Sequence, residues 1–194
     1  MTFWSGIATR RSVANLFLIL GCICAPISAA QALVVVPADF NELVRSARVI
    51  VHGTVVGVSP QVGDDRRHID TLVSLEVAGY LKGDFGPEVT VRVPGGEVGR
   101  YRTVIPGAPT FKPGDEVVLF LQARGPVVPY LLGLSQGVYR IVRDAKTGED
   151  DVIPPPVLGE SSIPRRVIRG DPGHVPMALS QFSTIVRQRV VDSR

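Results

Sequence analysis

The stretch RVIVHGTVVGV, residues 48–58, decides the fold because β-branched side chains dominate it. When it is extended, apolar side chains occupy both faces: Val49, Val51 and Val55 on one, and Ile50, Val56 and Val58 on the other. A strand that is apolar on both faces is typical of a buried position in a sheet. Gly53 and Gly57 lie where such a strand can bend sharply, as strands do when a sheet curls into a barrel. We therefore predict an all-β fold built around this strand.

Further strand patterns follow, in which apolar and polar residues alternate or a short apolar run stands between turn signals. The predicted strands are 69–77, 89–93, 116–121 and a hairpin pair, 130–134 and 138–142, around Ser135, Gln136 and Gly137. Pro113 and Gly114 suit the central positions of a type II turn, because proline presets φ and glycine accepts a positive φ. Residues 144–149 have the composition of an exposed hairpin turn.

A short helix is predicted before the strands. Asp39 and Glu42 have the spacing of a capping box, and Phe40, Leu43 and Val44 form an apolar stripe. We expect about two helical turns here, packed on the sheet as a plug.

A second helix is predicted after the strands, beyond the proline run 154–156. Residues 177–190 place four apolar side chains on one side of a helix: Leu179, Phe182, Ile185 and Val186. This helix either docks on the sheet or binds a partner.

The first 32 residues have the layout of a secretory signal peptide. Arg10 and Arg11 precede an apolar run, and Ala30 and Ala32 form an A-x-A cleavage site. We expect Sec export with cleavage after Ala32, or after Ala30 as second choice. The mature protein would then be periplasmic or secreted, with no stable insertion in the membrane.

Two alternatives to cleavage stay open. The apolar stretch, which continues weakly through residues 33–36, is compatible with an uncleaved anchor. Cys22 stands in a sequence that resembles a bacterial lipobox, so a lipid anchor at Cys22 is the other alternative.

Both cysteines, Cys22 and Cys24, lie in the predicted signal peptide, so the mature chain would contain none. That excludes a catalytic cysteine, a CxxC redox site and cysteine-ligated zinc. The predicted organisation is a signal peptide over 1–32, a β-domain over 33–154, and a proline-rich linker with a C-terminal helix over 155–194.

The net charge does not indicate nucleic-acid binding. It is +3 for the whole chain and +1 once Arg10 and Arg11 are removed. Residues 155–194 carry six arginines against three acidic residues, a net of +3, so residues 33–154 carry −2. We predict that nucleic acid is not a partner.

Residues 133–137, GLSQG, match the G-x-S-x-G pattern of serine hydrolases. Asp144 or Asp171, followed by His174, even supplies the chain order of a catalytic triad. That motif requires a helix after the serine, whereas a strand pattern, VYRIV, follows here. A hydrolase using Ser135 is therefore the least favoured function, and we predict no enzymatic activity.

The residues that could hold a metal lack the necessary spacing. They are His52, His68, His174, Asp64, Asp65 and Asp70. The histidines lie in separate predicted elements, and the aspartates do not follow a D-x-D-x-D-G pattern. The glycines at 95–99 have no G-K-[ST] ending. We predict neither a metal nor a cofactor, and expect His52 to be a hydrogen-bonded side chain of the sheet.

The most suggestive surface is residues 94–114, which hold five glycines and four prolines around Arg100, Tyr101 and Arg102. A tyrosine between two arginines can stack on or pair with a polar partner. The alternative is a long connection whose arginines lie over the sheet.

Three segments carry a family resemblance: ARVIVHGTVVGV at 47–58, VSLEVAGYLKGD at 73–84 and TFKPGDEVVLFL at 110–121. Their rhythm resembles netrin-like domains and tissue inhibitors of metalloproteinases, and also uncharacterised exported bacterial proteins. The resemblance covers residues 47–142 and implies a five-stranded OB-fold barrel, which binds ligands on the face and loops of strands 2 and 3. The inhibitors bind zinc through an N-terminal cysteine and brace the barrel with disulfides, and the predicted mature chain has neither feature.

The combined prediction is an exported, non-catalytic binding module. We expect its partner to be an envelope or extracellular protein, such as a protease, and its binding residues to be Arg100, Tyr101, Arg102 and Tyr130. The alternative is a barrel that binds a small ligand or a glycan, which a groove lined by Tyr101, Tyr130 and Tyr139 would favour.

Overall fold

A computed structural model describes residues 39–63, 67–125, 127–145, 147–156, 172–173 and 175–193. The predicted signal peptide, with Cys22, Ala30 and Ala32, lies outside these residues. So do the predicted linker residues 157–171 and His174.

Strands make up most of the regular secondary structure in the described residues, as the sequence predicts, with a short helix before them and a longer one after them. The strands are β1 (Val49–Val62), β2 (Ile69–Lys82), β3 (Glu88–Pro94), β4 (Gly96–Val98), β5 (Tyr101–Thr103), β6 (Glu116–Gln122), β7 (Tyr130–Leu131), β8 (Val138–Arg143), β9 (Asp150–Ile153) and β10 (Met177–Ala178). The helices are α1 (Phe40–Ser46), α2 (Leu179–Asp192) and a 3-10 helix, Leu134–Gly137.

Five of the strands form a closed ring. They follow one another in the order β1-β2-β3-β7-β6, and β6 pairs back with β1. The β3–β7 pair is parallel, and the other pairs in the ring are antiparallel. Strand β1 occupies one edge of β6. On the opposite edge β8 pairs with the first half of β6, next to β7, and β9 and β10 extend the sheet beyond β8.

Strand β6 supplies side chains to two separate apolar cores. Val117, Leu119 and Leu121 point into the core inside the ring. Val118 and Phe120 point out of the ring into a second core, beneath α1 and α2. Because successive residues of a strand face opposite sides, a continuous apolar run is what a strand between two cores requires.

The pairing of strand β1 with β2 is irregular, and two of its three register shifts lie next to Gly53 and Gly57. At the shift between Val55 and Gly57, Val56 is the extra residue, so it is 50% exposed, and Val58 turns inward to pack on the inner core. The prediction that Val56 and Val58 share the outer face is therefore wrong, since a bulge reverses the alternation that follows it.

Helix α1 is held at both of its ends. The carboxylate of Asp39 accepts a hydrogen bond from the Asn41 N–H (2.7 Å), which confirms the predicted N-cap. Lys82 Nζ reaches across from β2 and donates to the carbonyl oxygens of Val44 (2.8 Å) and Arg45 (3.0 Å). These contacts seat α1 over the outer core, where Phe40 is buried.

Helix α2 docks on the sheet through the predicted apolar side. Phe182 and Val186 are fully buried in the outer core, and Leu179 and Ile185 are partly buried against it. The Phe182 ring stands edge-on to Phe40 at a centroid distance of 5.7 Å. No helix among the described residues has the length and apolar character needed to cross a membrane.

The predicted hairpin around Ser135 is wrong. The chain turns there through the 3-10 helix, and β7 and β8 both pair with β6 instead of with each other. The turn is made by Gly133 and Leu134, which adopt positive φ values of 68° and 56°. The backbone groups along the buried edge of β6 need hydrogen-bond partners, and β7 and β8 both supply them. The two strands therefore pair with β6 and not with each other.

Two predicted turns are confirmed. At Pro113 and Gly114 the Asp115 N–H donates to the Lys112 carbonyl (3.0 Å), and Gly114 has a φ of +90°. Strands β8 and β9 form a hairpin through residues 144–149, where the Asp144 N–H donates to the Glu149 carbonyl.

Gly53→Ala is expected to lower the free energy of unfolding by about 2–4 kcal/mol, since a Cβ at this position collides with the backbone oxygen of Glu76 on β2. Gly57→Ala is the matched control on the same strand. Its Cβ would find Ser74 Cβ at 3.7 Å, an ordinary contact, so we expect a loss below about 1 kcal/mol. Urea denaturation measures the free energy of unfolding of both variants. Equal losses of this free energy would contradict a close approach of β1 and β2 at Gly53.

Tyr80 and Lys82 are expected to give opposite slopes to stability in alkaline solution. Burial raises the pKa of Tyr80 above 10.0, so the unfolded state loses that proton first and stability falls as pH rises. Burial lowers the pKa of Lys82 below 10.5, so the folded state loses that proton first and stability rises with pH. Tyr80→Phe and Lys82→Met should therefore change the slope of unfolding free energy against pH in opposite directions. Denaturation at several pH values around 10.0 and 10.5 tests this, and slopes that change in the same direction would contradict it.

Candidate functional site

The segment 94–114 is partly a β-hairpin, where the sequence predicts a long connection. Strands β4 and β5 pair only with each other among the described residues, in a two-stranded sheet apart from the eight-stranded one. Gly99 and Arg100 form the turn, and Gly99 has a positive φ (59°), as the first central position of a type II′ hairpin turn requires. We call residues 96–104, the hairpin and the residue after it, the arm.

The arm exposes large apolar side chains. Tyr101 is 60% exposed and Val104 is 67% exposed. Arg100 Nη2 donates to the Tyr101 hydroxyl (2.9 Å), and its guanidinium lies 5.1 Å from the centre of the Tyr101 ring. The arginine therefore holds the exposed ring in place before any partner arrives.

A first groove, of about 300 Å³, separates the arm from the segment that follows it. Its apolar residues include Val58, Val93 and Phe111, which also pack on the inner core of the ring. Thr71 Oγ1 donates to the Gly95 carbonyl (2.7 Å) and ties the base of the arm to β2. The groove thus opens where the inner core reaches the end of the ring.

A second groove, of about 460 Å³, lies on the other side of residues 108–110, which line both grooves and form a shared wall. Ser135 and Arg140 stand in the second groove with Pro154 and its neighbours. The Ser135 N–H donates to the Gly107 carbonyl (3.1 Å), so the 3-10 helix is fastened next to the shared wall.

Arg140 holds the shared wall in position. Its Nη1 contacts the Asp115 carboxylate at 2.9 Å, and its Nη2 donates to the Thr110 carbonyl at 2.6 Å. The guanidinium also lies 5.8 Å from the centre of the Phe111 ring. Asp115 in turn accepts a hydrogen bond from the Lys112 N–H (2.9 Å), so one guanidinium and one carboxylate tie β8 to the wall and its turn.

Sequence reasoning did not identify Arg140. Its neighbours in VYRIV suggest only an ordinary strand residue. The signal that could have identified Arg140 is the alternation of side chains along the strand. Arg140 lies on the same strand face as Val138, which belongs to the inner core. An arginine on an apolar face requires a carboxylate or carbonyl partner, and Asp115 meets that need.

The groove of three tyrosines that would favour the small-ligand alternative is not formed by Tyr101, Tyr130 and Tyr139. Tyr139 is 1% exposed and packs between Phe120 and Phe182 in the outer core, with ring centroids at 5.3 Å and 5.2 Å. Pairing with Val118 on β6 turns Tyr139 to that side. Tyr130 is exposed on β7 next to Arg92 of β3, and Tyr101 is exposed on the separate arm.

The G-x-S-x-G pattern lies in a different backbone setting from that of a hydrolase. Strand β8 directly follows the 3-10 helix that contains Ser135, where a hydrolase needs a helix. The described residues that line the groove around Ser135 include no histidine and no carboxylate that could act as its base.

Two of the histidines lie beside carboxylates. His52 Nε2 lies 2.8 Å from Glu116 Oε1, as expected for a hydrogen-bonded side chain of the sheet. His68 Nε2 lies 3.2 Å from the buried carboxylate of Asp70. Among the described residues no three His, Cys, Asp or Glu side chains gather as a metal site would require. Asp64, Asp65 and His174 lie outside those residues.

The sequence matches no known family model and no curated protein.

The Arg140–Asp115 pair is expected to couple by about 1–2 kcal/mol in a double-mutant cycle of Arg140→Met and Asp115→Ala. The Arg143–Asp150 pair at the end of the same strand is the control, because its atoms are 4.0 Å apart and both side chains are exposed. We expect less than about 0.5 kcal/mol there. Chemical denaturation of the variants gives both coupling energies. A coupling at Arg140 no larger than the control would show that this residue does not hold the wall.

Proposed function

We propose that this chain is an exported, non-catalytic binding module that recognises an envelope or extracellular protein through its arm. The observation that carries the proposal is the exposure of Tyr101 and Val104 on a hairpin outside the main sheet. An exposed aromatic ring beside arginines is typical of an interface, because aromatic residues and arginine are enriched there.

The chemistry of the arm suits recognition of a protein surface. Tyrosine and arginine are the residues that most often dominate the binding energy of interfaces. Arg100 already stacks on Tyr101, so ordering the pair on binding costs little side-chain entropy. Arg102 lies directly opposite Glu97 in the hairpin and lines the first groove, so it adds a charge to the arm on the side away from the ring.

A five-stranded OB-like barrel of the netrin-like type is the fold that we propose for the ring. Its closed order of five strands and the position of the arm after β3 support this. In OB folds ligands bind on the face of strands 2 and 3 and on flanking loops, and the arm begins directly after β3. This fold by itself does not imply a function.

The proposal includes export by the Sec pathway, with the signal peptide at 1–32 supporting it. The partner is then a protein of the periplasm or of the medium, a protease being one candidate. The charge of −2 over residues 33–154 supports a protein partner over a nucleic acid.

The alternative of a small-ligand or glycan site built from tyrosines loses its main support, because Tyr139 belongs to the outer core. A hydrolase at Ser135 loses support because a strand follows the serine and no base lines its groove among the described residues.

Crosslinking capture from the envelope and culture medium of the source cell tests the arm. The test variant is Arg100→Ala/Tyr101→Ala/Arg102→Ala, and the matched control on the exposed side of α2 is Arg187→Ala/Arg189→Ala/Val191→Ala. We expect one protein to be captured by the wild type and the control and to be lost with the arm variant. With that protein purified, the arm variant should raise Kd by about 30-fold or more.

Two results would contradict this proposal. Capture that survives in the arm variant and disappears in the control would place the interface on α2. The absence of any specific protein would remove protein binding as the function.

A further inference from the structure

The second groove has the size and the walls of a small-molecule site. Its volume of about 460 Å³ falls within the range of about 300–1,000 Å³ that is usual for such sites. Most of the residues that line it are apolar, and prolines contribute on two sides: Pro109 from the shared wall, and Pro154 and Pro155 after β9. Val138 and Ile153 complete the apolar lining. Proline walls lose little conformational freedom when a ligand binds.

Three polar residues line this mostly apolar groove, Thr110, Ser135 and Arg140, and the last two carry the argument. Ser135 makes no side-chain hydrogen bond to any residue that the structure describes, while its backbone N–H is fixed to Gly107. Arg140 is the ionisable residue of the described lining. A guanidinium carries five N–H groups, and the contacts with Asp115 and Thr110 engage two of them. Donors therefore stay available on Arg140, and Ser135 lines the same groove.

The backbone is strained where it presents Ser135. Leu134 adopts a φ of 56°. Among the described residues it is the one non-glycine residue with a positive φ. Such a conformation costs about 1–3 kcal/mol, and it concentrates at sites that bind ligands. The 3-10 helix that begins at Leu134 places Ser135 in the lining of the groove.

We propose that the second groove binds a small, mostly apolar molecule that ends in a carboxylate, such as a medium-chain alkanoate. The carboxylate accepts hydrogen bonds from Arg140 and from the Ser135 hydroxyl, and the apolar chain lies against Val138, Ile153 and Pro154. Asp115 already pairs with this guanidinium, so the preference for a carboxylate rests on the remaining Arg140 N–H groups, which would give it charge-assisted hydrogen bonds that a neutral head group would not receive. The site is separate from the arm and does not depend on the proposed protein partner.

Octanoate and 1-octanol test this proposal, since they share a chain length and differ in the head group. Protein obtained by expressing the full chain is titrated with each probe by calorimetry and by NMR chemical-shift mapping. Octanoate should bind about 10-fold more tightly than 1-octanol, because its hydrogen bonds are charge-assisted. The shifted amides should include Val138 and Ile153.

Three variants locate the site. Ser135→Ala should weaken octanoate binding by about 3- to 10-fold through loss of one hydrogen bond. Ser135→Phe should abolish binding by filling the groove. Thr103→Phe, which fills the first groove instead, should leave binding unchanged. Thermal unfolding of each variant confirms that it is folded, and Ser135→Ala keeps the test valid if Ser135→Phe does not fold.

Three results would overturn the proposal. The first is an octanoate affinity no higher than that of 1-octanol, or no binding of either probe. The second is binding that survives in Ser135→Phe. The third is a loss in Thr103→Phe, which would move the ligand to the first groove.

Discussion

The double burial of β6 is the constraint on which the rest of the structure depends. Its five central residues, 117–121, are fully buried, and their side chains alternate between the inner and the outer core. Each such side chain contributes about 1.5–3 kcal/mol when it leaves water. This gain requires cover on both faces and partners on both edges. Strand β1 covers one edge and closes the ring, β7 and β8 divide the other edge, and α1 and α2 cover the outer face.

The same constraint creates the surfaces that have functional interest. Because β7 and β8 must both reach β6, the chain between them turns tightly, and Ser135 is presented beside the shared wall. Because β8 then runs along β6, Arg140 falls on the inner side, where it binds Asp115 and the Thr110 carbonyl. The wall held in this way separates the two grooves. Ring closure, wall and grooves are therefore consequences of one buried strand.

The arm and the second groove differ in the recognition that they suit. The arm exposes an ordered aromatic ring with neighbouring arginines, which matches a partner surface. The second groove is concave and mostly apolar, with a few polar groups, which matches a small molecule. One scaffold can support both, because the arm stands on the end of β3 and the groove lies beside β8.

The sequence by itself determined the features that depend on neighbouring residues. Local spacing explains the alternation in the strands, the cap at Asp39, the turn at Pro113 and Gly114, and the apolar side of α2. Only the tertiary structure decided which strands pair and which face each side chain takes. A bulge at Val56 reversed the alternation in β1, pairing with Val118 buried Tyr139, and the shared edge of β6 replaced the expected hairpin at Ser135. The ion pair of Arg140 with Asp115 also depends on contacts between distant parts of the chain. Such contacts depend on where burial is greatest once the whole chain is folded, and local spacing carries no record of that.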